Sequence, residues 1–257
     1  MEHASICAHS NESRLAEAFY KSALDLSGGK SATATEALAS FYLSQNKYAE
    51  AESLYRRALA IRKENEQSTE SYRLQLAQDL GSLGASLLGQ GKTEEAEQVL
   101  QDTASRAKSI SEAASSERLI VAIFVDAHRL MIPSLGHLAV IYDRQGKKKE
   151  AGEYYKSILK SLQFNYADEF VLYPGALDAI AAGGYFFVAL NDDITASQFF
   201  NLVVSSPYQD KAISPEALFK VYDAYVALLR RQGNETEATL VIKNAGKLRK
   251  YLKDPLP

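Results

Sequence analysis

One spacing recurs along this chain and limits what it can fold into. Ala51, Ala96, Ala151, Ala196 and Ala238 are each preceded, twelve positions back, by Ala39, Gly84, Ala139, Gly184 and Val226, four of the five being Gly or Ala. Three residues after that position stand Tyr42, Leu87, Tyr142, Phe187 and Leu229, all large and apolar. Five residues before each alanine stand Asn46, Gly91, Gly146, Asn191 and Gly233. Asn and Gly are the residues that most readily take the left-handed conformation that ends a helix. The offset from small residue to turn to alanine therefore repeats five times, and it marks a unit of construction.

Each unit reads as two antiparallel helices. Helix A carries the small residue and the large one, a tight turn follows, and helix B opens on Ala-x3-aromatic-x2-Ala. That pattern is clearest at Ala51, Tyr55, Ala58 and at Ala16, Tyr20, Ala23, and looser at Ala96, Leu100, Thr103 and the later copies. Small residues facing each other at the crossing let two helix axes approach. One such pair leaves apolar faces open, so pairs stack.

The stretches LASFY (38–42), LGASL (83–87), LAVIY (138–142) and GGYFF (183–187), each followed by its Ala-x3-large motif, resemble the tetratricopeptide repeat. YVALL (225–229) is a degenerate copy. Successive motif alanines lie 35, 45, 55, 45 and 42 residues apart, against about 34 in the standard unit. The extended YAEAESLYRRALAIRKEN resembles the long units of kinesin-light-chain-type repeats. The resemblance implies an all-α, right-handed superhelical solenoid of about eleven helices, a single domain over 1–257. A partial unit at 12–30 precedes units near 32–65, 70–115, 118–163, 174–206 and 214–252. Pro133 is unfavourable inside a straight helix, so a break or kink is expected near Met131–Ser134 with an extra helix before it. Longer connections are expected at 161–175 and 205–217. Ser214 followed by Pro215 reads as a helix start, and Asp192 as a cap.

Little chemistry competes with this reading. Lys plus Arg is 29 against 32 Asp plus Glu, a net of −3, without the concentrated positive charge that phosphate backbones need. The only cysteine, Cys7, cannot form an internal disulfide, which points to a reducing compartment. With no visible signal peptide and no stretch of about 20 apolar residues, the expected location is cytoplasmic. SGGKS (27–31) lacks the first glycine of a phosphate loop, Leu24 standing in its place. His128 and His137, with Asp126 and Asp143 nearby, do not share one helix face as metal ligands do. They read as polar residues in a packing seam. No catalytic constellation, cofactor or metal is expected.

Tetratricopeptide arrays hold partners on the face lined by helix A, so the resemblance implies a partner-binding groove. Counting from the small residue of each helix A, the groove positions are Glu36, Ser40 and Leu43 in the first full unit; Gln78, Ala85 and Leu88 in the second; Val140, Asp143 and Arg144 in the third; Asp178, Tyr185 and Val188 in the fourth; and Lys220, Asp223, Arg230 and Arg231 in the fifth. The middle is small and apolar and the far end basic, which suits an apolar peptide or helix with an acidic group. Chaperone-binding members clamp a C-terminal carboxylate with Lys and Asn; here those positions are Glu36, Ser40 and Gly81, and the clamp is not expected. The expected function is a non-catalytic scaffold or adaptor; the alternative is a regulatory or sensor segment of a larger signalling or enzymatic protein.

Overall fold

The computed structural model describes residues 2–64, 69–116, 121–162, 175–206 and 213–253. The expected connection at 161–175 lies largely outside them, as do 207–212 of the one expected at 205–217 and the side chain of Cys7. Among the described residues there are eleven helices and no strand: α1 (Glu2–Leu26), α2 (Ala32–Ser44), α3 (Tyr48–Glu64), α4 (Glu70–Gly89), α5 (Thr93–Ser116), α6 (Val121–Arg144), α7 (Lys148–Ser161), α8 (Ala176–Ala189), α9 (Asp193–Ser205), α10 (Pro215–Arg231) and α11 (Glu235–Lys253).

The turns sit where the spacing puts them. Asn46 and Asn191 have φ 57°, and Gly91, Gly146 and Gly233 have φ 76–77°. In each case the next amide donates back to the large apolar residue of helix A: Lys47 to Tyr42 O, Lys92 to Leu87 O, Lys147 to Tyr142 O, Asp192 to Phe187 O and Asn234 to Leu229 O, at 2.8–3.0 Å. This is the hydrogen bond that satisfies a free carbonyl at a helix end when the chain turns through a left-handed residue. The starts are capped by Ser31, Thr69, Asp192 and Ser214, whose side chains accept from Ala34, Tyr72, Thr195 and Ala217 amides.

The chain forms two compact units, 1–130 and 131–257, and the boundary falls inside α6. In the first, α2 lies against α3 and α4 against α5, while α1 touches α2 and α3 touches α4. Beneath them Ala77, Ile110 and Ala127 form an apolar cluster that Leu130 joins. In the second, α8 pairs with α9 and α10 with α11, and α7 touches α8. Tyr142 of α6 meets Tyr154 of α7 with ring centroids 5.2 Å apart. The core here is aromatic: Tyr155 lies 5.1 Å from Phe186 and 6.2 Å, edge-on, from Phe199, which stacks on Phe187.

Two expectations need correction. α6 runs from Val121 to Arg144 as one helix with Pro133 inside it, so among the described residues the segment before the proline is part of α6 and not a separate helix. Ile132, Ser134, Leu135 and Leu138 on either side are all buried, and that burial offsets the missing amide of Pro133. Nor do small residues face each other at the two crossings where helix A carries glycine. A β-carbon on Gly84 would lie 2.7 Å from Leu100, and one on Gly184 would lie 2.4 Å from Phe200. At these two crossings the glycine of helix A receives the large residue of helix B.

Candidate functional site

The helix-A positions are best taken within each compact unit. In the first, α2 and α4 supply Ser40, Leu43, Gln78, Ala85 and Leu88. Ser40 and Gln78 are exposed, while Leu43, Ala85 and Leu88 are half-buried. Ser40 shares a 2.8 Å hydrogen bond with the hydroxyl of Tyr55, whose ring is 1% exposed. Glu36 is not a free surface acid. Its carboxylate accepts from Arg62 Nη2 at 2.5 Å, while Arg62 Nε donates to Asp79 Oδ2 at 2.6 Å and Nη1 to Gln75 Oε1 at 2.7 Å. Arg62 is 6% exposed and Asp79 fully buried, with Asp79 Oδ1 lacking a hydrogen-bond partner. Burial pushes Asp79 up to about 6 against the pull of Arg62, and raises Glu36 as well. A cavity of about 260 Å³ lined by Lys30, Arg62, Tyr72 and Gln75 among others opens beside this cluster.

The sequence reading missed this cluster, although a signal was present. Arg62 stands eleven residues after Ala51, on the stripe that buries Ala51, Tyr55, Ala58 and Leu59. Asp79 stands five before Gly84, where the later units carry Ser134, Ala179 and Val221, all buried. Ionisable residues at two positions of the buried pattern should meet, because neither is stable alone in an apolar seam.

In the second unit, α8 presents Asp178, Tyr185 and Val188, and α10 presents Lys220, Asp223, Arg230 and Arg231. Tyr185 is 41% exposed, with its ring held edge-on at 5.2 Å by buried Phe200. Burial raises its hydroxyl pKa, with Lys220 and Asp223 of α10 close enough to pull in opposite directions. Asp178 is raised by burial too. Val140 and Asp143 on α6 are half-buried and Arg144 is exposed; Asp143 is bound by Lys148.

The cations expected to form a basic end are each matched to an acid. Lys220 bonds Glu216 at 2.7 Å and Arg230 reaches Glu235 at 3.5 Å. Arg231 grips Asp193 of α9 with two nitrogens, Nε at 2.8 Å. Gln232 reinforces that contact by donating to Asp193 O at 3.0 Å, as Gln90 donates to Tyr48 O at 3.2 Å in the first unit. These glutamines sit one before the turn glycine and tie helix A to the preceding helix B.

His128 is buried beside Ser111, its Nδ1 3.4 Å from the hydroxyl. Among the described residues no three His, Cys, Asp or Glu side chains converge as metal ligands, and no helix is long and apolar enough to cross a membrane.

Comparison with known proteins agrees with this geometry. Tetratricopeptide-repeat family profiles match residues 30–109 and 132–161. Among solved structures, BtubC (BKLC) from P. vanneervenii is 16% identical over 98% of this chain and 92% of that one, with a TM-score of 0.58. Pseudomonas aeruginosa pilF is 18% identical over 97% and 88%, with a TM-score of 0.54. A putative kinesin light chain of Podosopora anserina with nearly identical TPR-like repeats is 15% identical over 87% and 97%, with a TM-score of 0.51. At such identities the likeness is one of fold. No curated protein matches the sequence.

Proposed function

Since this chain is a tetratricopeptide-repeat protein with long units of the kinesin-light-chain type, we propose that it is a non-catalytic, cytoplasmic scaffold or adaptor that holds an extended or helical segment of a partner protein. The working surface is the helix-A face of the second unit, on α8 and α10. The observation that carries this is Tyr185. An aromatic ring that is 41% exposed yet braced from behind by Phe200 is pre-organised for contact. Such rigid aromatics are the side chains that dominate binding energy at interfaces. Half-buried Val188 extends the apolar centre, and Asp178, Lys220 and Asp223 form a rim of both signs.

The pairing of Lys220, Arg230 and Arg231 with carboxylates removes the reason to require an acidic partner. An apolar anchor flanked by polar groups of either sign is the chemistry that fits. The first unit is not a carboxylate clamp on this reading. Glu36 is an acid held by Arg62, and it opposes an incoming carboxylate.

Affinity capture from cells with the wild-type chain, Tyr185→Ala and Val188→Asp tests the proposal. A discrete set of proteins should be retained by wild type and depleted at least tenfold by either substitution, an anchor loss of about 1.4 kcal/mol or more. If both variants retain the same set, while substitutions on the opposite, helix-B surface lose it, the helix-A face is not the working surface.

A further inference from the structure

The cavity of about 260 Å³ in the first compact unit lies where two helices begin. Lys30 and Ala32 line it from the start of α2, Ser71 and Gln75 from the start of α4, and Arg62 from the last turns of α3. It is smaller than the roughly 300–1,000 Å³ of pockets for drug-sized ligands, so an occupant must be small.

The lining is rich in donors and poor in acceptors. Among the described residues no carboxylate lines it, and its charged groups, Lys30 and Arg62, are both cations. Lys30 is exposed and makes no ion pair among the described residues. Arg62 is 6% exposed, and after donating to Glu36, Asp79 and Gln75 it keeps N–H groups with no acceptor. Gln75 turns its oxygen to Arg62 Nη1, which leaves its side-chain N–H groups unspent. The Arg62 carbonyl is already taken by the Tyr72 hydroxyl at 2.9 Å.

The helix starts add to this surplus. The Ser31 and Thr69 side chains accept from the Ala34 and Tyr72 amides, and their carbonyls accept from Thr35 and Arg73. The amides of Ala32, Thr33, Glu70 and Ser71 belong to the part of the first turn that has no partner within its own helix. The aligned peptide dipoles of α2 and α4 place partial positive charge at the same mouth. Arg57 adds a further cation beside Lys30, donating to Gly29 O at 2.8 Å. The nearby acids are engaged elsewhere. Glu36 and Asp79 are outside the lining and held by Arg62, and Glu70 is bound by Arg73 at 2.9 Å.

We propose that this cavity is a binding site for a small free oxyanion of the phosphate class. Donors reach it from three helices, more than the two oxygens of one carboxylate accept, whereas phosphate offers oxygens in four directions. Backbone amides at a helix start, with the dipole behind them, favour that charge. Lys30 supplies the mobile counter-charge at the mouth, and Arg62 is a positioning group that aims Gln75. The site is independent of the partner-binding surface proposed above, which lies on the other compact unit.

Titration of the full chain with inorganic phosphate at constant ionic strength, followed by amide NMR shifts, tests this. Ala32, Thr33 and Ser71 amides and the Gln75 side chain should shift together and saturate. Lys30→Glu should weaken phosphate at least tenfold with an unchanged melting temperature in chloride, since Lys30 is exposed, and Lys30→Arg should retain it. Lys243→Glu, an exposed lysine on α11, should bind as wild type does. Acetate should shift the same amides less at equal concentration. Wild-type shifts that do not saturate, or a Lys30→Glu chain that binds as wild type does, overturn the proposal. Equal weakening by Lys243→Glu also overturns it, leaving an adventitious ion only. Acetate as tight as phosphate overturns the phosphate class.

Discussion

Gly184 of α8 lies beneath the ring of Phe200 in α9: a β-carbon there would stand 2.4 Å from Phe200 Cε1. Gly84 and Leu100 repeat the relation in the first unit, at 2.7 Å. The absence of a side chain on helix A makes room for the large residue four after the helix-B alanine, and both Phe200 and Leu100 are fully buried.

Gly184→Ala and Gly84→Ala should each destabilise by ~1–3 kcal/mol through overpacking. Gly246→Ala on α11, where a β-carbon meets nothing within 4 Å, should be neutral or stabilising by up to about 1 kcal/mol, because Ala favours the helix. Urea unfolding midpoints for the three variants check this; equal effects at Gly184 and Gly246 would refute close approach at the crossing.

Removing Arg62 leaves Glu36 and Asp79 buried without their cation. Arg62→Ala should cost ~3–5 kcal/mol. Arg62→Lys should recover little, since one ammonium cannot reach Glu36, Gln75 and Asp79 in the directions of a planar guanidinium. Combining Arg62→Met with Glu36→Gln and Asp79→Asn should recover most of the loss. A triple variant as unstable as Arg62→Ala would show that the charges are not the cause.

The same cluster sets a pH dependence. Asp79 is raised to about 6, chiefly by burial, and Glu36 is raised for the same reason. A carboxyl whose folded pKa lies above its unfolded one weighs against folding while ionised, and that burden lifts as protons bind. Stability should therefore rise as the pH falls from 7 through about 6 toward about 4, on the order of 1–3 kcal/mol in all. Glu52 acts oppositely. Lys92, Gln90 and Arg56 hold it down at about 2, so its contribution is complete above 4.5 and lost as the pH falls from there through about 2. Melting temperature should peak between about pH 4 and 5, and Asp79→Asn should flatten the slope between about pH 4 and 7. A melting temperature that falls steadily below pH 7 in wild type would contradict the raised Asp79.

Asn191, at φ 57°, should accept glycine within a few tenths of a kcal/mol. Asn191→Val should cost ~1–2 kcal/mol, because a β-carbon crowds the following carbonyl in the left-handed region. Thermal unfolding of the two variants decides it; equal losses would place the penalty in the asparagine side chain.

The sequence by itself determined the helix pairs and their turns. A left-handed residue, a bond back to Tyr42, Leu87 or Phe187, and a capping Ser214 or Asp192 all act within a few residues, so their spacing is written in the chain. Only the tertiary structure decided what the surfaces are. Glu36 looked like a groove acid until Arg62, 26 residues away, closed on it. Arg231 looked like a free cation until Asp193, 38 residues away, met it. Pro133 looked like a break or kink, yet α6 continues past it with the residues beside it buried. The reason is common to all three: local rules fix backbone hydrogen bonds, whereas burial and ion pairing depend on which distant side chain arrives in the same place.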